Sequence, residues 1–120
     1  MYNIAVIDDE ADILNIIDRY LTKKGKYTVT TYTNPLKALE NIDKNYDVIL
    51  TDIMMPQLNG IDLLEKILEI NPNQKVIMMT AYSTLEKVLD SHQKGAVYYL
   101  TKPFESLSTL ESKIQEAIND

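Results

Sequence analysis

The sequence predicts an α/β protein built on a doubly wound parallel sheet with helices on both faces. Two observations predict it. Short apolar runs alternate five times with segments whose apolar residues recur at three-to-four spacing. The third run, Asp47 to Thr51, is continuous in Val, Ile and Leu, as expected of a strand covered on both sides.

Taken in order, Tyr2 to Ile7 has the β-branched content of a buried strand. Ala11, Ile13, Leu14, Ile16, Ile17, Tyr20 and Leu21 then mark one face of a helix, and Gly25 is placed to end it. Tyr27 to Tyr32 alternates and carries Thr and Val, the pattern of a half-exposed second strand. Asn34-Pro35 starts the second helix, with Asn as N-cap and Pro at the first helical position, and the spacing carries that helix to about Lys44. After the third strand, Met54 to Gly60 is a connection rich in turn formers. Ile61, Leu63, Leu64, Ile67 and Leu68 define the third helix, closed by Asn71-Pro72. Val76 to Met79 is the fourth strand. Ser83 with Glu86 forms a capping box for a fourth helix that ends at Gly95. Ala96 to Leu100 is the fifth strand, and Leu107, Leu110, Ile114 and Ala117 mark the last helix.

The 120 residues suit one domain, 1–120, and 45% apolar content is enough for a core without metals or disulfides. There is no Cys, hence no disulfide and no thiolate chemistry, which suits a reducing cytoplasm. No signal peptide or bilayer-length apolar run is present, so the expectation is a soluble cytoplasmic protein with no membrane contact. A net charge of -6 argues against nucleic acid as a ligand of this domain, because phosphate backbones require clustered Lys and Arg.

In open α/β sheets, ligands bind beyond the carboxyl ends of the strands, where the strand order switches. The first strand exits into Asp8-Asp9-Glu10, the third into Asp52, the fourth into Thr80, and the fifth into Thr101-Lys102-Pro103. Strand order is not contained in the sequence. In the flavodoxin-like order 2-1-3-4-5, however, strands one and three are neighbours, and Asp8, Asp9 and Asp52 converge. Like charges so placed repel by about 4 kcal/mol per pair at roughly 4 Å and a dielectric near 20. A cation would offset that cost, and oxygen ligands without His or Cys favour Mg²⁺. Lys102 adds an ammonium and Thr80 a hydroxyl donor. These are the parts required to place a phosphoryl group on Asp52.

The segments "VIDDE" (6–10), "DVILTDIMMPQLNGIDLL" (47–64), "VIMMTAY" (76–82) and "GAVYYLTKPF" (95–104) make the chain resemble the receiver domain of bacterial two-component response regulators over nearly its whole length. "MTAY" and "YLTKPF" are most similar to receivers of nitrogen-regulatory, sigma-54 activator proteins. The resemblance implies that Asp52 accepts a phosphoryl group from a sensor histidine kinase. It implies that Asp9, Asp52 and the Met54 backbone carbonyl ligate Mg²⁺ (Mn²⁺ substituting), with Asp8 acting through a bound water. It further implies that Thr80 and Lys102 bind phosphoryl oxygens and that Thr80 and Tyr99 move as a switch. The Lys102-Pro103 peptide is then cis. The surface that responds is the fourth helix, fifth strand and fifth helix, facing an effector domain, a target protein or a second copy in a phosphorylation-dependent dimer. No effector domain is expected within these residues.

Several features read as ordinary structure. Glu10 is expected to be a solvated or capping residue at a helix start. His92 falls in line with Leu85, Val88 and Leu89 and reads as an inward or boundary residue. The Met pairs at 54–55 and 78–79 read as adaptable packing. An aspartyl-phosphate phosphatase would need a general acid shortly after the nucleophile, and position 54 is Met. Gly25, Gly60 and Gly95 lie at helix boundaries and form no phosphate-binding or dinucleotide loop.

Overall fold

The alternating faces of the strands decide the architecture. The computed structural model describes residues 1–43, 45–53, 55–80, 98–101 and 107–120, with the backbone alone at Thr80 and 98–101. Its strands are β1 (Tyr2–Ile7), β2 (Tyr27–Tyr32), β3 (Val48–Asp52), β4 (Val76–Thr80) and β5 (Tyr98–Thr101). They form one sheet in the order β2-β1-β3-β4-β5, with every neighbouring pair parallel. The helices are α1 (Ala11–Lys23), α2 (Pro35–Glu40), α3 (Gly60–Ile70) and a C-terminal helix (Leu107–Asn119).

Side chains on β1, β3 and β4 alternate between two cores, as the two-residue period of a strand requires. Ile4, Val6, Val48, Leu50, Ile77 and Met79 meet α1 and the C-terminal helix through Leu14, Ile17, Leu21, Leu110, Ile114 and Ala117. Ala5, Ile7, Ile49, Val76 and Met78 meet α2 and α3 through Ala38, Leu63, Leu64 and Ile67. Each fully buried Ile or Leu contributes about 1.5–3 kcal/mol of transfer free energy. β3 is buried along its whole length. The edge strand β2 is partly exposed, as its Thr-rich alternation predicts.

Several boundaries differ from expectation, and β3, β4 and β5 each run one residue further, to Asp52, Thr80 and Thr101. α2 stops at Glu40, not near Lys44, because the Asn41 side chain donates to the Lys37 carbonyl at 2.9 Å and competes with helix continuation. β3 starts one residue later than Asp47, whose carboxylate is spent on the Asn3 N–H at 2.7 Å. The expected helix from Ser83 to Gly95, with His92 on it, and the first residues of the expected fifth strand lie outside the described residues.

A polar network ties the C-terminal helix to the amino end of β2. The buried Tyr27 hydroxyl donates to Glu111 at 2.9 Å and accepts from Gln115 at 2.5 Å. Lys24 and Lys26 reach Glu111 at 3.7 and 3.4 Å. Burial pushes the Tyr27 hydroxyl up to about 12; Gln115 opposes that shift and Glu111 adds to it. Burial likewise raises Tyr32, whose hydroxyl shares a 2.6 Å hydrogen bond with Tyr46 that adds to the effect.

Candidate functional site

Register brings the acids together. Ile7 pairs with Thr51 across β1 and β3, so Asp8, the next residue, emerges beside Asp52 at the carboxyl end of the sheet. Asp8 is fully buried and Asp52 is 5% exposed, whereas Asp9 and Glu10 face solvent. Asp8 is fixed by its N–H donating to the Tyr32 carbonyl at 3.0 Å and by its Oδ1 accepting from the Glu10 N–H at 2.9 Å.

Asp52 is held from behind. The Thr51 hydroxyl donates to the Asp52 carbonyl at 3.1 Å, and the Ile53 N–H donates to Met79 at 3.0 Å. The loop returns so tightly that the Gly60 N–H reaches the Ile53 carbonyl at 2.7 Å. A Cβ at Gly60 would stand 2.7 Å from Ile53 Cα and 2.9 Å from the Asp52 carbonyl carbon, and closer still to its oxygen. Only glycine fits there. Asn59 caps α3 with Oδ1 accepting from the Asp62 N–H at 2.9 Å, which fixes the return.

Asp8, Asp9, Glu10 and Asp52 each offer a carboxylate oxygen, and these atoms all lie within 4.8 Å of one another. At that spacing a charged pair costs about 3.5 kcal/mol at a dielectric near 20, less where solvent screens it. An all-oxygen set of this size fits a hard divalent cation. Mg²⁺ takes oxygens at about 2.0–2.1 Å and keeps waters beside one or two carboxylates.

The β3–β4 register pairs Asp52 with Met79, so Thr80 follows one residue beyond. Thr80 in turn pairs with Thr101, immediately before Lys102. The backbone of Tyr99 pairs with Met78. Met54, Lys102 and Pro103 lie outside the described residues, as do the side chains of Thr80 and Tyr99. The structure thus assembles Asp8, Asp9 and Asp52 as the sequence anticipated and carries the backbone at Thr80 to the same rim.

Glu10 is exposed at the start of α1, the solvated form of what the sequence predicts. It occupies the N-cap of α1, yet its side chain makes no capping hydrogen bond; it belongs to the acidic group instead. The role of Gly60 was also hidden, since a turn-former pattern says nothing about what the turn passes over.

Comparison with known proteins agrees with this arrangement. The sequence profile of the response regulator receiver domain matches residues 4–115. The DNA-binding transcriptional regulator NtrC of Escherichia coli (strain K12) is 41% identical over 101 residues, 83% of this chain and 21% of NtrC, so the chain spans about a fifth of that relative's length. The chemotaxis protein CheY of Thermotoga maritima is 31% identical over 117 residues, covering 97% of this chain and 93% of CheY. The crystal structure of a CheY-like response regulator receiver domain protein from Methanospirillum hungatei superposes with a TM-score of 0.93 at 31% identity, covering 99% of this chain and 94% of that one. On its profile match, its relatives and its fold, this chain belongs to the response regulator receiver domain family of two-component signalling.

Proposed function

We propose that residues 1–120 form a single receiver domain that works as a phosphorylation-activated switch, with Asp52 taking a phosphoryl group from the phosphohistidine of a sensor histidine kinase. The observation that carries this reading is a nearly buried carboxylate at the end of the central strand, within 4.8 Å of the acids leaving the adjacent strand. An Asp52 Oδ attacks phosphorus, the P–N bond breaks, and its electron pair stays on the departing imidazole. Positioning and charge neutralisation carry such transfers, and little else is asked of the protein. The tight return at Gly60 and the hydrogen bonds behind Asp52 fix the backbone from which its carboxylate projects.

Asp8, Asp9, Asp52 and the Met54 carbonyl would hold Mg²⁺, or Mn²⁺ in its place. When bound, the ion supplies positive charge against the carboxylates and the phosphoryl oxygens. Thr80 and Lys102 bind those oxygens, and Thr80 and Tyr99 relay the change. The responding surface is the predicted helix 83–95 with β5 and the C-terminal helix. Its output is an effector domain, a target protein or a phosphorylation-dependent dimer, in the cytoplasm. By similarity to NtrC, the regulated process is transcription, with the DNA contacts made elsewhere than on this acidic domain.

Incubation with a small acyl phosphate and Mg²⁺, read by intact mass, tests the reading. The wild type should gain one phosphate and Asp52→Asn none. An unmodified wild type, or equal labelling of the variant, overturns it.

A further inference from the structure

We propose that Glu10 is a working part of the cation site: its carboxylate holds one of the waters of the divalent ion seated among Asp8, Asp9 and Asp52, and so sets the site's affinity. The inference rests on the site reading under Proposed function and adds a residue to it. Two observations support it. The Glu10 carboxylate oxygen lies within 4.8 Å of those of the three aspartates. At the N-cap of α1, moreover, its side chain is not used for capping.

The backbone makes the placement firm. Glu10 donates its N–H to Asp8 Oδ1 at 2.9 Å, and its carbonyl accepts from Ile13 and Leu14 at 3.1 and 3.3 Å. The side chain therefore starts from a fixed point beside the acids. Its order in the coordination follows from size. Opposite oxygens around Mg²⁺ are only about 4.2 Å apart, and the ion keeps most of its waters. A set spread over as much as 4.8 Å leaves room for members that reach the ion through water, the position already expected of Asp8. Glu10, the longest of the four side chains and exposed to solvent, suits such an outer position as well. Groups that hold a metal's outer ligands change its affinity by about 10–100-fold when removed.

A competing role is simple. An acid at the start of α1 could serve only the positive end of the helix. Titration calorimetry with Mg²⁺ alone, in the absence of any phosphodonor, separates the two. Glu10→Gln should bind Mg²⁺ about tenfold more weakly. Glu10→Asp, which keeps the charge but loses a methylene, should fall between it and the wild type. In EDTA, Glu10→Gln should melt no lower than the wild type, because it removes a like charge from the group. Affinity within twofold of the wild type for Glu10→Gln, or a lower melting temperature in EDTA with unchanged affinity, overturns the proposal. Asp9→Asn is the control for the site itself. If it loses Mg²⁺ while Glu10→Gln does not, only the role of Glu10 fails. If both bind like the wild type, the ion site fails with it.

Discussion

Replacing Asp52 with Asn should raise the melting temperature of the metal-free protein. In the folded state the Asp52 carboxylate lies within 4.8 Å of those of Asp8, Asp9 and Glu10. Against buried Asp8 the repulsion is about 3.5 kcal/mol at a dielectric near 20. Asp9 and Glu10 are exposed, so screening holds their shares to about 1 kcal/mol or less each. Asn removes all of this but also weakens the favourable interaction Asp52 makes, worth about 1.5–3 kcal/mol for a hydrogen bond to a charged group. The net gain is about 0.5–4 kcal/mol, and about 4 °C per kcal/mol is expected at this chain length. The assay is a thermal melt in EDTA at low salt, repeated with Mg²⁺. An ion at a hundred times its Kd stabilises the wild type by about 2.7 kcal/mol. The advantage of Asn should therefore shrink or vanish with Mg²⁺. An Asn variant that melts below the wild type in EDTA refutes the repulsion argument. A gap that Mg²⁺ leaves unchanged refutes the ion's place in it.

Other outcomes follow from the same geometry. Gly60→Ala forces a methyl against the Asp52 backbone and should lower stability by about 1–3 kcal/mol, with slower labelling of Asp52 under matched folding conditions by intact mass. Asn59→Ala removes the α3 cap and should lower stability by about 1 kcal/mol in urea unfolding. Tyr27 ionises near 12 when folded, above its ordinary value of 10.0. Its contribution is therefore complete below pH 10 and disappears as pH rises towards 12. Tyr27→Phe should flatten the alkaline loss of stability in melts across that range, leaving the part that belongs to Tyr32. A slope as steep as the wild type's would exclude Tyr27 as a source.

Much of this was legible because strand, helix and cap signals agree locally. The buried β3 run, the Asn34-Pro35 start and the acids at strand exits each follow from side-chain chemistry within a few residues. Strand order is different. Nothing in Tyr2–Ile7 states that its neighbours are Tyr27–Tyr32 and Val48–Asp52; that emerges when two cores must be filled at once. Apolar spacing continues through Ile42 and so overshoots the end of α2, where Asn41 turns back on Lys37. A helix-start position predicts a solvated or capping Glu10, but its proximity to the aspartates is set by tertiary structure and cannot be read from the sequence.

The anchoring of the C-terminal helix has a mechanical consequence. Glu111 and Gln115 fasten it to Tyr27, the first residue of β2 and thus at the rim opposite the acids. The anchors are the fifth and ninth of its 13 residues, so they grip the middle of a rod about 20 Å long. A tilt about that grip would carry the two ends, Leu107 and Asn119, in opposite directions by similar amounts.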